Sequence, residues 1–294
     1  GFTSTGDFYA LNFGTDNWST IAALPGGNER QYAAAFSNDT LGFVFSGTGA
    51  SGYLNDLWCY QPTTNTWTAK SSMPAAARMG CIAFVFNNVA YIIGGRTTAT
   101  TPTNEVWAYN IVSDSWVQKN NFPYGARWRA SGASLNGKGY LLFGKDSLNS
   151  YHNQLYEYTP TTDSWIALSS FVGQGRTFAG LVAFGNDLIT VAGLDSLGIA
   201  YNTMFRFTPS TGVWQPLQSI PAAGRKGGLC FASSSSVYYS TGIDTANIRL
   251  KETWKVNNPA AIADFSLEDN ILLSPNPATS ELRITNYELG IKSI

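Results

Sequence analysis

Five tryptophans, Trp18, Trp67, Trp116, Trp165 and Trp214, stand 49 residues apart along the chain. A second aromatic series keeps the same step: Tyr9, Trp58, Trp107, Tyr156, Phe205 and Trp254. Arginine recurs at Arg30, Arg78, Arg127, Arg176 and Arg225, with one gap of 48 and the rest of 49. Glycine marks the frame at Gly47, Gly95, Gly144, Gly193 and Gly242. Four residue series in one register require a string of equivalent structural units, each stacked on the next.

The unit that begins at Arg78 shows what one repeat contains. Cys81 to Phe86 is an apolar run that reads as a strand buried on both faces. Asn87-Asn88 reads as a two-residue hairpin turn, and the next unit has Asn136-Gly137 there. Val89 to Ile93 is a second strand, ended by Gly94-Gly95. A polar loop, Arg96 to Thr103, leads to Glu105 to Tyr109, which alternates as a half-buried third strand does. Ser113-Asp114 turns the chain into a short fourth strand, Ser115 to Gln118. Equivalent turns elsewhere carry Pro62, Pro160 and Pro209, whose fixed φ suits the turn. Four short strands per unit and no helical pattern describe a β-propeller blade. A solenoid, the competing repeat architecture, uses shorter units with one or two strands each. The periodic aromatics read as core between blades, each contributing roughly 1.5–3 kcal/mol on burial.

Composition agrees. Charged residues are only 13% and aromatics 14%, the opposite of a disordered chain. A net charge of −1 argues against a nucleic-acid partner. No apolar run reaches the roughly 18 residues of a membrane span. Cys59, Cys81 and Cys230 are an odd number with wide spacing, so neither a disulfide framework nor a metal site is expected. His152, the single histidine, leaves no site that needs two imidazoles. No cofactor is expected. The chain starts at Gly1 without a visible signal peptide, which reads as a processed start or a fragment.

The sequence resembles the Kelch repeats. Ile93-Gly94-Gly95, Asn55-Asp56-Leu57-Trp58-Cys59-Tyr60 and the Met73-Pro74 to Arg78 entry carry the likeness, which covers residues 1–256. Gly-Gly is degraded to Ser46-Gly47, Phe143-Gly144, Ala192-Gly193 and Thr241-Gly242. The likeness implies an all-β Kelch-type β-propeller of four-stranded antiparallel blades. It does not imply a function, since such propellers include enzymes and binding modules. Residues 30–214 hold four full units, preceded by a third and a fourth strand and followed by a first, second and third. Joining the two partial units would duplicate the third strand, so six blades are expected in the complete protein. The missing strands would then lie before Gly1. A five-bladed closure leaves one strand over.

Residues 257–270 read as a linker. Residues 271–294 place Pro275-Asn276-Pro277 between an apolar and an alternating strand. This stretch resembles the opening of the C-terminal sorting domain, a small β-sandwich, of type IX secretion cargo in Bacteroidetes. The resemblance implies a secreted or cell-surface protein that engages the type IX secretion machinery.

The loops that enter each first strand share one propeller face with the loops between second and third strands. That face should collect Arg30, Arg78, Arg127, Arg176 and Arg225, with Arg96, Lys145, Tyr151, His152, Tyr53 and Tyr201 from nearby loops. Trp128 stands where other units have Gln31, Met79, Thr177 and Lys226, and Arg129 follows it. Position 128 varies between units, so the repeat does not dictate it. Guanidiniums on one axis would take a carboxylate or sulfate bidentately, and Trp and Tyr faces suit sugar stacking. The structural alternative is that the repeated arginines tie strands together through Asp56, Glu105 and Glu252. Copper oxidase chemistry of the galactose oxidase kind needs histidine ligands that this chain lacks, and no catalytic set is identified. Three functional readings follow: a non-catalytic binding module for a glycan or protein ligand, a sugar-modifying enzyme (epimerase, mutarotase or lyase on acidic sugars), and a purely structural surface protein.

Overall fold

Asn87 and Asn88 both take positive φ, 45° and 62°, and so do Asn136 and Gly137, at 50° and 74°. These are the backbone settings of the hairpin turn that matches strand twist. The turn fixes the register of the first two strands, Phe86 opposite Val89 through Ile82 opposite Ile93. The third strand pairs next to the second and the fourth to the third, so each sheet runs in chain order. The strands fall within a residue of their sequence bounds: Ile82–Phe86, Val89–Ile93, Val106–Asn110 and Ser115–Lys119.

The computed structural model describes residues 5–259 together with Pro275–Asn276. It contains five four-stranded antiparallel sheets, the blades of a β-propeller. Blade one is Ala34–Ser37, Gly42–Phe45, Leu57–Gln61 and Thr66–Lys70. Blade two is the unit just described. Blade three is Trp128–Leu135, Lys138–Lys145, Leu155–Thr159 and Ser164–Ala167. Blade four is Gly180–Phe184, Asp187–Val191, Met204–Thr208 and Val213–Leu217. Blade five is Leu229–Ala232, Ser236–Ser240, Thr253–Asn257 and Pro275–Asn276.

The expected count of six blades is therefore corrected: the described residues form five. The fourth place in blade five is filled from the C-terminal side, where Pro275 and Asn276 pair with Trp254 and Thr253. Among the described residues, the first unit supplies Phe8–Asn12 and Asn17–Ile21, which stay a two-stranded sheet. That pair packs between blades one and five. The Trp67 indole donates to the Ala22 carbonyl at 2.7 Å on one side. On the other, Trp18 donates to Thr253 Oγ1 at 3.2 Å and Lys255 meets Asp16 at 2.8 Å. The rest of the sorting-domain stretch and residues 260–270 of the linker lie outside the described residues.

The core sits between blades, as the aromatic period requires. Phe43 and Phe45 of blade one pack with Ile92 and Tyr109 of blade two. Phe84 and Tyr91 of blade two pack with Tyr158 and Trp165 of blade three. The next two interfaces repeat the pattern around Leu142 and Phe207, then Val191 and Tyr239. Three of the 49-step tryptophans also donate to a carbonyl 45 residues back in the preceding unit: Trp67, Trp116 and Trp214.

The recurring glycine has a backbone task. Gly47, Gly95, Gly144 and Gly193 donate their N–H to the carbonyls of Arg78, Arg127, Arg176 and Arg225 in the next blade, at 2.8–3.0 Å. These glycines lie at φ 84–106°, beyond the small left-handed region open to side-chain-bearing residues. The residue before each, Ser46, Gly94, Phe143 or Ala192, sits at 60–70°, inside that region. This is why only the first glycine of the pair is replaced from blade to blade.

The three cysteines are free thiols. Burial pushes Cys81 up to about 11 and Cys230 up to about 12, so neither carries thiolate at neutral pH.

Candidate functional site

At the entry to each first strand the chain makes one left-handed residue: Tyr32, Gly80, Arg129, Phe178 and Gly227, at φ 56–70°. Each of the last four donates its N–H to the carbonyl of the one before, at 2.9–3.3 Å. The result is a backbone relay from blade one to blade five. Two places hold glycine and three hold large side chains. The Arg129 guanidinium lies 4.1 Å from the Phe178 ring centroid and 5.1 Å from that of Tyr32. The two rings are 6.2 Å apart.

On its other side Arg129 lies 3.9 Å from the Trp128 ring, which is 5% exposed. Arg96 approaches the same indole at 4.0 Å and Lys145 at 5.1 Å. Arg96 belongs to the loop after the second strand of blade two. Lys145 ends the second strand of blade three and sits opposite Trp128 in register. Three cations thus converge on one aromatic plate at the junction of blades two and three. They line a cavity of ≈ 240 Å³ with Pro102, Asp146 and Asn149. Among the described residues, no carboxylate oxygen lies within 4.0 Å of these three cationic groups. Burial pulls Arg129 down to about 10. Burial also lowers Lys145, helped by the charges of Arg129 and Arg96.

Asp146 shapes the lower wall. Its Oδ1 accepts the Leu148 and Ser150 N–H groups, and its Oδ2 faces His152 Nε2 at 3.1 Å. Burial would raise Asp146, but these bonds outweigh it and hold the carboxyl below its ordinary value. His152 is lowered by burial and by the Arg127 charge, against the pull of Asp146, so it is neutral at pH 7. Tyr151 is 5.5 Å from Lys145 and bridges to it through the backbone.

The repeated arginines divide into two sets. Arg30, Arg78 and Arg225 form ion pairs with Asp56, Glu105 and Glu252 at 2.7, 2.5 and 2.7 Å. Each also donates to the carbonyl 16 residues on, at Ser46, Gly94 and Thr241. These three brace the first strand of a blade against its second and third. In blades three and four the acid is replaced by Gln154 and Thr203. Arg127 and Arg176 are buried there with no carboxylate in ion-pair range among the described residues. Arg176 stacks at 4.0 Å on Tyr201 and 4.9 Å on Phe171 instead, and burial pulls it down to about 10. None of the five lines the cavity.

Restoring an acid in blade four should therefore stabilise the fold. Thr203→Glu puts a carboxylate where blades two and five have one. Charge-assisted hydrogen bonds contribute about 1.5–3 kcal/mol, and ordering the side chain offsets part. A gain of about 1 kcal/mol in urea unfolding is expected, and an unchanged midpoint would show that ring stacking already satisfies Arg176.

Of the residues singled out in the sequence, Arg96, Trp128, Arg129 and Lys145 meet at one pocket, with Tyr151 and His152 beside it. Tyr32, Phe178, Asp146 and Asn149 were not singled out. The signal for Tyr32 and Phe178 was present: both share the repeat position of Arg129, where Gly80 and Gly227 stand.

A model of the KLHDC2/KLHL20/DRC7 Kelch-repeats domain matches residues 1–129 and 73–242, most of the chain. No curated protein sequence matches it. Its fold is shared with 743 solved chains, so shape alone selects no activity. One is a solved structure described as "Structure of YjhT", with a TM-score of 0.74, 17% identity, 86% of this chain covered and 89% of that one. At that identity the likeness shows the fold. On the family match, which spans most of the chain, the chain belongs to the Kelch-repeat family.

Proposed function

We propose that this propeller is a non-catalytic binding module for a glycan or protein ligand, and that the ligand docks on the face bearing the Trp128 pocket. The observation that carries the reading is the convergence of Arg96, Arg129 and Lys145 on one indole with no carboxylate paired to them. Uncompensated cations on an aromatic plate attract an anionic ligand, and a Kelch propeller is compatible with such a role. Glycan and peptide arrays probed with the wild type and with the Arg96→Gln/Lys145→Gln double variant test it. Retained hits on the wild type and at least tenfold weaker signals on the variant are expected. An array on which the wild type binds nothing would overturn the reading.

One observation favours a second reading, a sugar-modifying enzyme on acidic sugars. The neutral His152, bonded to Asp146 beside the cations, is a candidate base. Incubation with uronic and sialic acids, followed by NMR, separates the two. The binding reading expects no turnover, and any turnover abolished by His152→Gln would establish the enzyme.

We also propose secretion or surface display as type IX cargo, on the resemblance of residues 271–294 to a sorting domain. Removing the chain from Ile271 onward should then leave the protein inside its cell of origin, and continued export would reject the proposal.

A further inference from the structure

We propose that the Trp128 pocket is a phosphate site, built for the dianionic head of a phosphate monoester. The inference rests on the binding reading and names the chemistry of that site.

The charge count leads to it. Arg96, Arg129 and Lys145 contribute three positive charges, Asp146 one negative charge, and the neutral His152 none. The pocket is left at a formal +2. A carboxylate or a sulfate monoester carries one negative charge and would leave a surplus cation in a half-buried site. A phosphate monoester carries close to two at neutral pH and has three strong acceptor oxygens. It closes the count.

Donor supply agrees. Lys145 spends one ammonium hydrogen on Asn149 Oδ1 at 2.9 Å, which leaves two. Arg96 spends Nη1 on the Ala99 carbonyl at 3.0 Å, and its Nε has no acceptor. The Nε of Arg129 is also without an acceptor. Buried donors left unmade are costly, and strong acceptors remove that cost. The Asp146 oxygens do not supply them: they bind Leu148, Ser150 and His152 and lie beyond 4.0 Å of the three cationic groups. The Trp128 face draws the cations together but supplies no acceptor.

Size agrees as well. At ≈ 240 Å³ the cavity is below the roughly 300–1,000 Å³ of pockets that enclose a whole small molecule. It suits a single charged group, with the rest of the ligand lying outside.

The test is isothermal titration at pH 7.5 and constant ionic strength with methyl phosphate, methyl sulfate and acetate. The first two have one shape and different charge. Methyl phosphate should bind at least tenfold more tightly than methyl sulfate or acetate, and Lys145→Gln and Arg96→Gln should each weaken it at least tenfold. Both residues are half-buried, and an unchanged melting curve confirms that the variants fold. Mannose 6-phosphate and phosphoserine form a further arm: the tighter of the two tells whether a sugar or a peptide carries the group. Equal affinity for methyl phosphate and methyl sulfate, or no effect of either variant, overturns the phosphate assignment. If the arrays above still give charge-dependent hits in that case, the binding module stands without it. If the arrays are blank while methyl phosphate binds as expected, the assignment stands and the broader reading falls.

Discussion

Glu105→Ala is expected to destabilise the propeller by about 3 kcal/mol, the low end of the cost of breaking a buried ion pair from one side. Arg78 is 1% exposed and Glu105 is 33% exposed in its side chain, so the acid keeps part of its water and the full penalty does not apply. What remains is a buried guanidinium with only the Ala76 and Gly94 carbonyls, and a Trp107 indole that has lost its acceptor. At about 2–4 °C per kcal/mol for chains of this size, the melting temperature should fall by roughly 6–12 °C. A fall under 2 °C would mean that the carbonyl bonds alone hold Arg78. The same pairs set an acid limit. Burial raises Asp56, Glu105 and Glu252, but hydrogen bonds and the partner arginine outweigh it, and all three are held below their ordinary values. Their stabilisation is complete above the ordinary carboxylate values of 3.8 and 4.5 and is lost as pH falls through the lower folded values. The Glu105→Ala variant should lose less stability between pH 5 and pH 2 than the wild type does.

Gly95→Ala should cost as much by a different route. Its φ of 87° lies outside the left-handed well of L residues, which costs about 1–3 kcal/mol. An added methyl would stand 2.6 Å from Cys81 Sγ and 3.1 Å from the Met79 carbonyl. Relieving that contact moves the N–H that holds the Arg127 carbonyl of blade three. A total of about 3 kcal/mol in urea unfolding is expected. Gly27→Ala is the matched control, because its φ of 88° carries the same backbone cost while an added methyl meets nothing within 4 Å. Equal losses in both variants would show that the contacts around Gly95 add nothing to the cost of its φ.

Most of the fold was legible because period and turn chemistry agreed. The Asn87-Asn88 turn, the strand ends in blade two and the aromatic core between blades all follow from a 49-residue step. The blade count was not legible. Counting strands shows that a third strand would be duplicated, but not that Pro275–Asn276 supplies the outer edge of blade five. The site was half legible. Trp128 drew notice because its repeat position varies. Tyr32 and Phe178 share the repeat position of Arg129, Gly80 and Gly227, but only the positive φ of that position shows why its side chains turn toward one another. The two roles of the repeated arginines were written 26 or 27 residues downstream, where Asp56, Glu105 and Glu252 stand in three blades and Gln154 and Thr203 in the other two.

The Gly-to-Arg bonds have a direction: each blade borrows a carbonyl from the blade that follows it in the chain. Consecutive blades are thus riveted through the main chain, where no point substitution can delete the acceptor. Among the described residues, the seam between the first strand pair and blade five is held by side chains instead: Trp18 on Thr253, Asp16 on Lys255, and Phe13 stacked on Tyr238. Such a ring has a built-in clasp. Strain applied anywhere on the circumference is passed along the rivets and released where the ring is fastened only by replaceable groups. Evolution can therefore tighten or loosen the whole molecule by editing those few residues, far from the mouth where a ligand would sit.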